Sequence, residues 1–362
     1  MKSKITMALA ACLCAPLWVS AQQSATKTFT LEGNPIVRDN FTADPAPMVH
    51  DGTLYLYVGH DEAKDGEMYN ITEWLCYSTR DMKTWTDHGS VLKPTDFSWA
   101  VGEAWASQVV EKDGKFYYYT TVQAGAPLNC KAVGVAVGDS PTGPFKDALG
   151  KPLITDAMTP NGKRGWWNDI DPTVLIDDEG TPWMSWGNGT CFIVKLKPDM
   201  VTLDGPIEVL SLPHYVEGPW LHKHGDLYYL TYASMGKGRE MIHYATAKDI
   251  GGTWTYQGAL TDMAENSFTI HPGITEFNGN WYLFYHNATL TKDGVGGATG
   301  RRSVCVDYLY YHPDGRMAFV EQTKAGVTVP PKSLEEALKV VNPYADEQPR
   351  EVKRSPVSFD KE

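Results

Sequence analysis

The chain has 362 residues, 42% of them hydrophobic and 12% aromatic, so it can bury a large core as one big domain or two smaller ones, and general disorder is excluded. A formal net charge of −12 argues against nucleic acid as a partner, because phosphate binding needs a basic surface. A neutral substrate is compatible with it.

The opening "MKSKITMALAACLCAPLWVSAQQ" has a basic start, an apolar run from Ile5 to Val19 and a small Val-Ser-Ala triplet before Gln22. That is the layout of a secretory signal over residues 1–21, which predicts export to the periplasm or beyond and a mature chain beginning at Gln22. Leu9-Ala10-Ala11-Cys12 offers a rival reading, a lipoprotein site with Cys12 acylated. No later segment has the roughly 20 uninterrupted apolar residues of a membrane helix. Removal of the signal leaves Cys76, Cys130, Cys191 and Cys305, none in a Cys-x-x-Cys pair of the zinc or redox kind, so scattered free thiols are expected, with one or two disulfides formed after export as the alternative.

Five segments then share one layout: "DPAPMVHDGTLYLYVGH" from Asp44, "WASQVVEKDGKFYYYTT" from Trp105, "DPTVLIDDEGTPWMSWGN" from Asp171, "EGPWLHKHGDLYYLTYAS" from Glu217 and "HPGITEFNGNWYLFYHN" from His271. In each, a short strand meets a glycine turn and returns as a strand rich in aromatic and β-branched residues, the signal of a hairpin. The turn glycines, Gly52, Gly114, Gly180, Gly225 and Gly279, are spaced by 62, 66, 45 and 54 residues, a period typical of propellers or solenoids. A further strand can be read after each hairpin, and helical periodicity is nearly absent before "SLEEALKVV" at 333–341. The predicted fold is all-β, a five-bladed propeller over residues 22–330 with a charged, Pro-interrupted extension, 331–362, whose end is expected to be mobile. A β-sandwich or β-helix with chance repeats is the alternative.

Counting back from each turn glycine, Asp44, Glu217 and His271 lie eight residues away and Trp105 and Asp171 nine. If these positions are the mouth ends of innermost strands, the five side chains converge on the propeller axis. Three are carboxylates, and two carboxyls flanking a bond are the minimal equipment for glycoside hydrolysis, with a third tuning the acid. Singly, Asp-Pro and Glu-Gly-Pro are ordinary turn chemistry; the shared offset is what points to a site. Trp105 suits the apolar face of a sugar ring, His271 can hold a water or a calcium ion, and "RRSVCVDYLYY" brings Arg301 and Arg302 to the start of a strand.

With these motifs in this order, together with "YVEGPWLHK" and "GVAVGDSPTGPFKDALGKPLI", the chain resembles glycoside hydrolase family 43 from about Asn34 to Thr323, nearest to its arabinoxylan-acting arabinofuranosidases and xylosidases. The resemblance implies an inverting hydrolase that releases α-L-arabinofuranose or β-D-xylose from plant cell-wall polysaccharide without a required cofactor. It implies Asp44 as general base, Glu217 as general acid and Asp171 as the residue that orients and tunes Glu217. It also implies Trp105, Asn287 and Arg302 as subsite contacts and His271 as an axial residue that ligates a water or a structural calcium. Trp105-Ala106-Ser107 departs from the Trp-Ala-Pro of many members. A non-catalytic carbohydrate-binding propeller, an endo-acting arabinanase and a sucrose-type fructosidase are the competing readings. The last lacks its Asn-Asp-Pro-Asn motif here, where Ala43-Asp44-Pro45-Ala46 stands.

Overall fold

A computed structural model describes residues 26–160 and 162–359. The signal segment at 1–21, the start at Gln22 and Cys12 lie outside the described residues.

Three of the five hairpins turn as the sequence asks. Asp51 and Gly52, Asp113 and Gly114, and Asn278 and Gly279 all take positive φ, the left-handed pair of a type I′ turn whose twist matches the strands it joins. The hairpins extend into five antiparallel sheets. The first blade contains β2 (Thr42–His50), β3 (Thr53–Asp61), β4 (Ile71–Thr79) and β5 (Thr84–Leu92), with β1 (Lys27–Thr30) added outside β5. The second is β6 (Ala100–Lys112), β7 (Lys115–Ala124), β8 (Lys131–Gly138) and β9 (Lys146–Asp147). The third is β10 (Thr173–Ile176), β11 (Pro182–Trp186), β12 (Cys191–Lys195) and β13 (Glu208–Ser211). The fourth is β14 (Tyr215–His224), β15 (Leu227–Met235), β16 (Glu240–Ala247) and β17 (Trp254–Thr261). The fifth is β18 (Gly273–Phe277), β19 (Asn280–Asn287) and β22 (Ser303–Leu309), interrupted by the two-residue pair β20 (Thr291–Lys292) and β21 (Val295–Gly296). The result is a five-bladed β-propeller, with β2, β6, β10, β14 and β18 as the first strand of each blade.

Large aromatic side chains fill the wedges between blades, and Trp74, Trp85, Trp186 and Trp254 are fully buried. One apolar cluster runs through Tyr57, Trp74, Tyr118, Tyr229, Tyr244 and Tyr285, joining the first, second, fourth and fifth blades into one core. The ring closes where the fifth blade meets the first. Ile36 N–H donates to Val304 O at 2.8 Å and Thr42 N–H to Arg302 O at 2.9 Å. Gly273 packs so tightly there that an added Cβ would stand 2.4 Å from Pro45 O.

The extension adds a strand of its own to the sheets. After a single helical turn, α1 (Leu334–Ala337), capped by Ser333, the chain forms β23 (Arg350–Pro356), which pairs with both β13 and β17. It thereby covers two sheet edges that would otherwise offer unpaired backbone to other chains. Val352 is buried beside Trp183, Trp254 and Tyr256, and Arg354 is paired with Glu208. The alternation that identifies this strand is hidden in "REVKRSP", where one apolar side chain is enough because the partners supply the rest. All four described cysteines are free and buried, and among the described residues no helix is long and apolar enough to cross a membrane.

Candidate active site

The first strand of each blade enters the sheet with the same local device. In β2, Ala43 pairs with Gly59 and Ala46 with Tyr57, so Asp44 and Pro45 form a bulge opposite one residue. Trp105 and Ala106 form the same bulge in β6, between Ala104–Val122 and Ser107–Thr120. Asp171 and His271 likewise stand two residues before the first paired residues of β10 and β18, Thr173 and Gly273. A bulge re-aims side chains at a sheet end, and here it turns them toward the axis.

The fourth blade breaks the register by one. Its bulge residues are Gly218 and Pro219, between Glu217–Ala233 and Trp220–Thr231, so the counterpart of Asp44 is Gly218. The offset counted from turn glycines therefore places Glu217 at a position it does not share. The physical reason lies in φ, which is +54° at Asp44, +61° at Asp171 and +58° at Gly218. Each non-glycine residue held there costs roughly 1–3 kcal/mol. At Gly218 a side chain is also excluded sterically, because an added Cβ would lie 2.8–3.0 Å from His271 ring atoms. Glu217, one residue earlier, reaches the site from nearer the mouth: its side chain is 15% exposed, against 4% for Asp44 and 3% for Asp171.

His271 occupies the centre. Its Nδ1 lies 3.1 Å from Asp44 Oδ1 and its Nε2 3.2 Å from Glu217 Oε1, with Asp171 Oδ2 3.8 Å from Nε2. Burial alone would lower its pKa, but the charges of Asp44, Asp171 and Glu217 outweigh this and push it up to about 10. Both ring nitrogens then carry protons and point at carboxylates. Asp171, Glu217 and His271 bring donor atoms within 4.8 Å of one another, the geometry of a metal cluster. Two carboxylate oxygens and one ring nitrogen supply only part of the six to eight ligands calcium takes, so waters would have to complete its shell.

Asp44 is held on its other side by Arg302, whose Nη1 donates to Asp44 Oδ1 at 3.0 Å and whose Nε and Nη2 grip Asp61 at 2.8 and 3.0 Å. Asp61 is buried, which raises its pKa, and Arg302 works against that rise. The backbone N–H of Asp44 donates to His286 Nδ1 at 3.2 Å; that imidazole is kept neutral by burial, then by Arg302 and His271. Asp171 accepts the Gly218 N–H at 3.1 Å, so it fixes the backbone beside Glu217. Burial, with repulsion from Glu217 and Asp44 added, overcomes attraction to His271 and pushes Asp171 up to about 8.

These groups form the floor of a cavity of about 720 Å³ whose walls include Tyr69, Trp105, Arg164, Trp167, Glu240 and Phe268. Of the expected site residues, Asp44, Asp171, Glu217, Trp105, His271 and Arg302 all line it. Asn287 does not: at the end of β19 its Oδ1 accepts from Ser303 Oγ at 2.8 Å and from Thr289, which uses its amide within the fifth blade. Arg302 faces the cavity but spends its fork on Asp44 and Asp61 rather than standing free for a ligand. Arg301 turns outward to Asp65 and the carbonyls of Gly296 and Ala63. Glu240 has no forerunner in the sequence reading. In "GKGRE" it looks like part of a solvated turn, yet it is buried, with Oε2 accepting from Ile270 N–H at 3.3 Å and Oε1 unpartnered. Burial, then the charge of Glu217, raises its pKa well above the ordinary value.

The sequence profile of Glycosyl hydrolases family 43 matches residues 32–317. The arabinoxylan arabinofuranohydrolase of Bacillus subtilis (strain 168) is 28% identical, over 94% of this chain and 72% of its own length. The xylosidase/arabinosidase of Bacteroides ovatus is 30% identical, over 79% of this chain and 97% of its own. Among solved structures, a β-xylosidase/α-arabinofuranosidase from a compost microbial metagenome, crystallised with xylotriose in a calcium-free form, superposes with a TM-score of 0.69 at 28% identity, covering 81% of this chain and 98% of that one. An α-L-arabinofuranosidase from Clostridium thermocellum gives a TM-score of 0.65 at 35% identity, over 79% and 95% of the two chains.

The contact between Gly218 and His271 is open to a direct test. Gly218→Ala puts a methyl group where the imidazole lies and demands a left-handed alanine, so turnover is expected to fall about 100-fold through misplacement of the cluster. Unchanged turnover on a nitrophenyl pentoside would show that His271 need not sit where it does.

Proposed function

The chain belongs to glycosyl hydrolases family 43, and we propose that it cleaves α-L-arabinofuranosyl or β-D-xylosyl units from arabinoxylan-type polysaccharide or oligosaccharide with Asp44 as base and Glu217 as acid. It is an inverting glycosidase that hydrolyses O-glycosyl bonds and releases pentose, chemistry that needs two carboxyl groups and a water rather than an organic cofactor.

One observation carries the assignment of roles. Asp44 Oδ1 is ion-paired with Nδ1 of the imidazole at 3.1 Å and Glu217 Oε1 is hydrogen-bonded to Nε2 at 3.2 Å, so the two carboxyls stand at opposite ring nitrogens. An inverting pair stands roughly 6.5–9.5 Å apart, with room for water, against roughly 5 Å for a retaining pair, and carboxyls separated by an imidazole suit the wider case. Asp44 takes the proton of a water that attacks the anomeric carbon from one face. Arg302 and His271 compensate the charge the base must carry. Glu217, nearer the mouth, gives a proton to the leaving oxygen on the other face. Asp171, with its pKa at about 8, keeps a proton within the Asp171–Glu217 pair at neutral pH and steadies Glu217 through Gly218 N–H.

Export completes the proposal, supported by the signal layout of residues 1–21. Mass spectrometry of the secreted protein should find Gln22 as the first residue; a lipidated Cys12 or a retained leader would refute the cleavage site.

Hydrolysis is tested on the two nitrophenyl pentosides and on arabinoxylan. Proton NMR should show the inverted anomer first, and Glu217→Ala or Asp44→Ala should lower turnover by at least about 10²–10⁴-fold with the fold intact. A retained anomer, or binding of oligosaccharide without turnover, would each contradict the scheme.

Asp171→Asn removes the partner that helps hold the proton. The alkaline limb of kcat/KM is then expected to move to lower pH, because the remaining acid no longer feels a second carboxylate. A pH profile superimposable on the parent's would exclude this role for Asp171.

A further inference from the structure

Lys131, the first residue of β8, is the least expected charge in the protein. Its side chain is fully buried, and its ammonium stands 4.8 Å from the Trp105 ring centre, 4.7 Å from Trp167 and 5.3 Å from Trp166. It is paired with Glu103 and donates to Gln123 Oε1 at 3.0 Å. Burial pushes its pKa down and Glu103 pulls it back only in part. An apolar residue would fill this space with no ion to desolvate, so packing alone does not account for a lysine here. What the ammonium adds is orientation, since it gathers three indoles that come from two separate segments.

The indoles form a continuous wall. Trp105 and Trp167 meet edge to face with centres 4.8 Å apart, and Trp167 and Trp166 follow at 5.0 Å. Trp105 and Trp167 line the catalytic cavity, whereas Trp166 lies beyond that lining and is 51% exposed. Two of the three belong to the segment "KRGWWND", which Arg164 N–H to Asn168 Oδ1 at 2.8 Å braces internally and Trp186 Nε1–H to Asp169 Oδ1 at 2.7 Å ties to the third blade. The wall therefore leads outward from the carboxyls, on the side a leaving group must occupy if the cleaved sugar sits on the floor. Exposed Met68, Met235 and Phe268 stand on other parts of the same rim.

We propose that Lys131 fixes Trp105, Trp167 and Trp166 as a platform for the leaving-group side of the substrate, a neutral pentose oligosaccharide chain, with Trp166 as its outermost sugar contact. The inference rests on the hydrolytic reading above and adds where the rest of the polymer lies. Lys131 is a positioning residue, acting through the indoles. The platform discriminates by length: a substrate whose leaving group is one atom cannot use it, and a branched oligosaccharide can.

The test compares a pentose-substituted xylo-oligosaccharide with the glycosyl fluoride of whichever pentose the parent enzyme releases. Trp166→Ala, a half-exposed position where the fold tolerates truncation, should raise KM for the oligosaccharide about three- to tenfold and shift the ratio of the two specificity constants by the same factor. Lys131→Met should shift that ratio in the same direction, and Lys131→Arg should restore part of it, because a guanidinium also stacks on indole. An unchanged ratio in Trp166→Ala, or equal losses on both substrates, would overturn the platform while leaving the catalytic assignment untouched. A parent that hydrolyses neither substrate would overturn the hydrolytic reading, and this inference with it.

Discussion

The buried charge at the propeller axis is the constraint on which the site depends. Asp44, Asp171 and Glu217 come from three different blades and could not share one floor without a counter-charge, since each desolvated carboxylate is costly and their repulsion adds to that cost. His271, at the entry of the fifth blade, resolves this by ion-pairing Asp44 and hydrogen-bonding Glu217 through opposite nitrogens. Arg302, just ahead of the same blade's last strand, neutralises Asp44 from behind and shares itself with Asp61. The cations also divide the carboxyls by function. Asp44 contacts both, whereas Asp171 and Glu217 share only the imidazolium, which leaves a proton to be held between them.

The backbone serves the same end. The bulge at Asp44 and the strand entry at Asp171 hold non-glycine residues at positive φ, local strain that the surrounding pairing must offset. In the fourth blade a glycine takes the strained position and lets the imidazole approach within contact distance. The carboxylate moves one residue up the strand and gains a methylene in going from Asp to Glu. That shift makes the pair asymmetric, with the proposed base deep in the floor and the proposed acid near the opening where a leaving group departs.

Much of this was legible in the sequence because hairpins and cavities are written in local chemistry. Asp-Gly and Asn-Gly turns at 51–52, 113–114 and 278–279 fix left-handed pairs, and the strands beside them carry the aromatic residues that wedge the blades. The carboxylates stood out because several repeats placed one near the same offset. What escaped notice depends on long-range contact. The true register of Glu217 is set by a bulge that no count from a turn reveals, and Glu240 is buried only because the segment around Phe268 to Ile270 folds over it. Asn287 stands outside the cavity lining, its Oδ1 taken up by Ser303 and Thr289, contacts that no motif announces. β23 escaped because a strand supplied with partners on both sides needs little apolar pattern of its own.

Two buried cations, Lys131 and His271, do different work because their surroundings differ. His271 sits among carboxylates and is held by charge, so its protonation is tied to the state of the groups proposed to perform catalysis. Lys131 has one carboxylate, Glu103, which is half exposed, and is otherwise surrounded by indole faces. An ammonium in that setting fixes ring geometry more than it shifts protons. The floor of the cavity is thus organised by ion pairs and its wall by a cation among aromatic rings. In the proposed scheme a substrate spanning both meets acid–base groups at the bond to be broken and flat apolar surface along the chain that leaves.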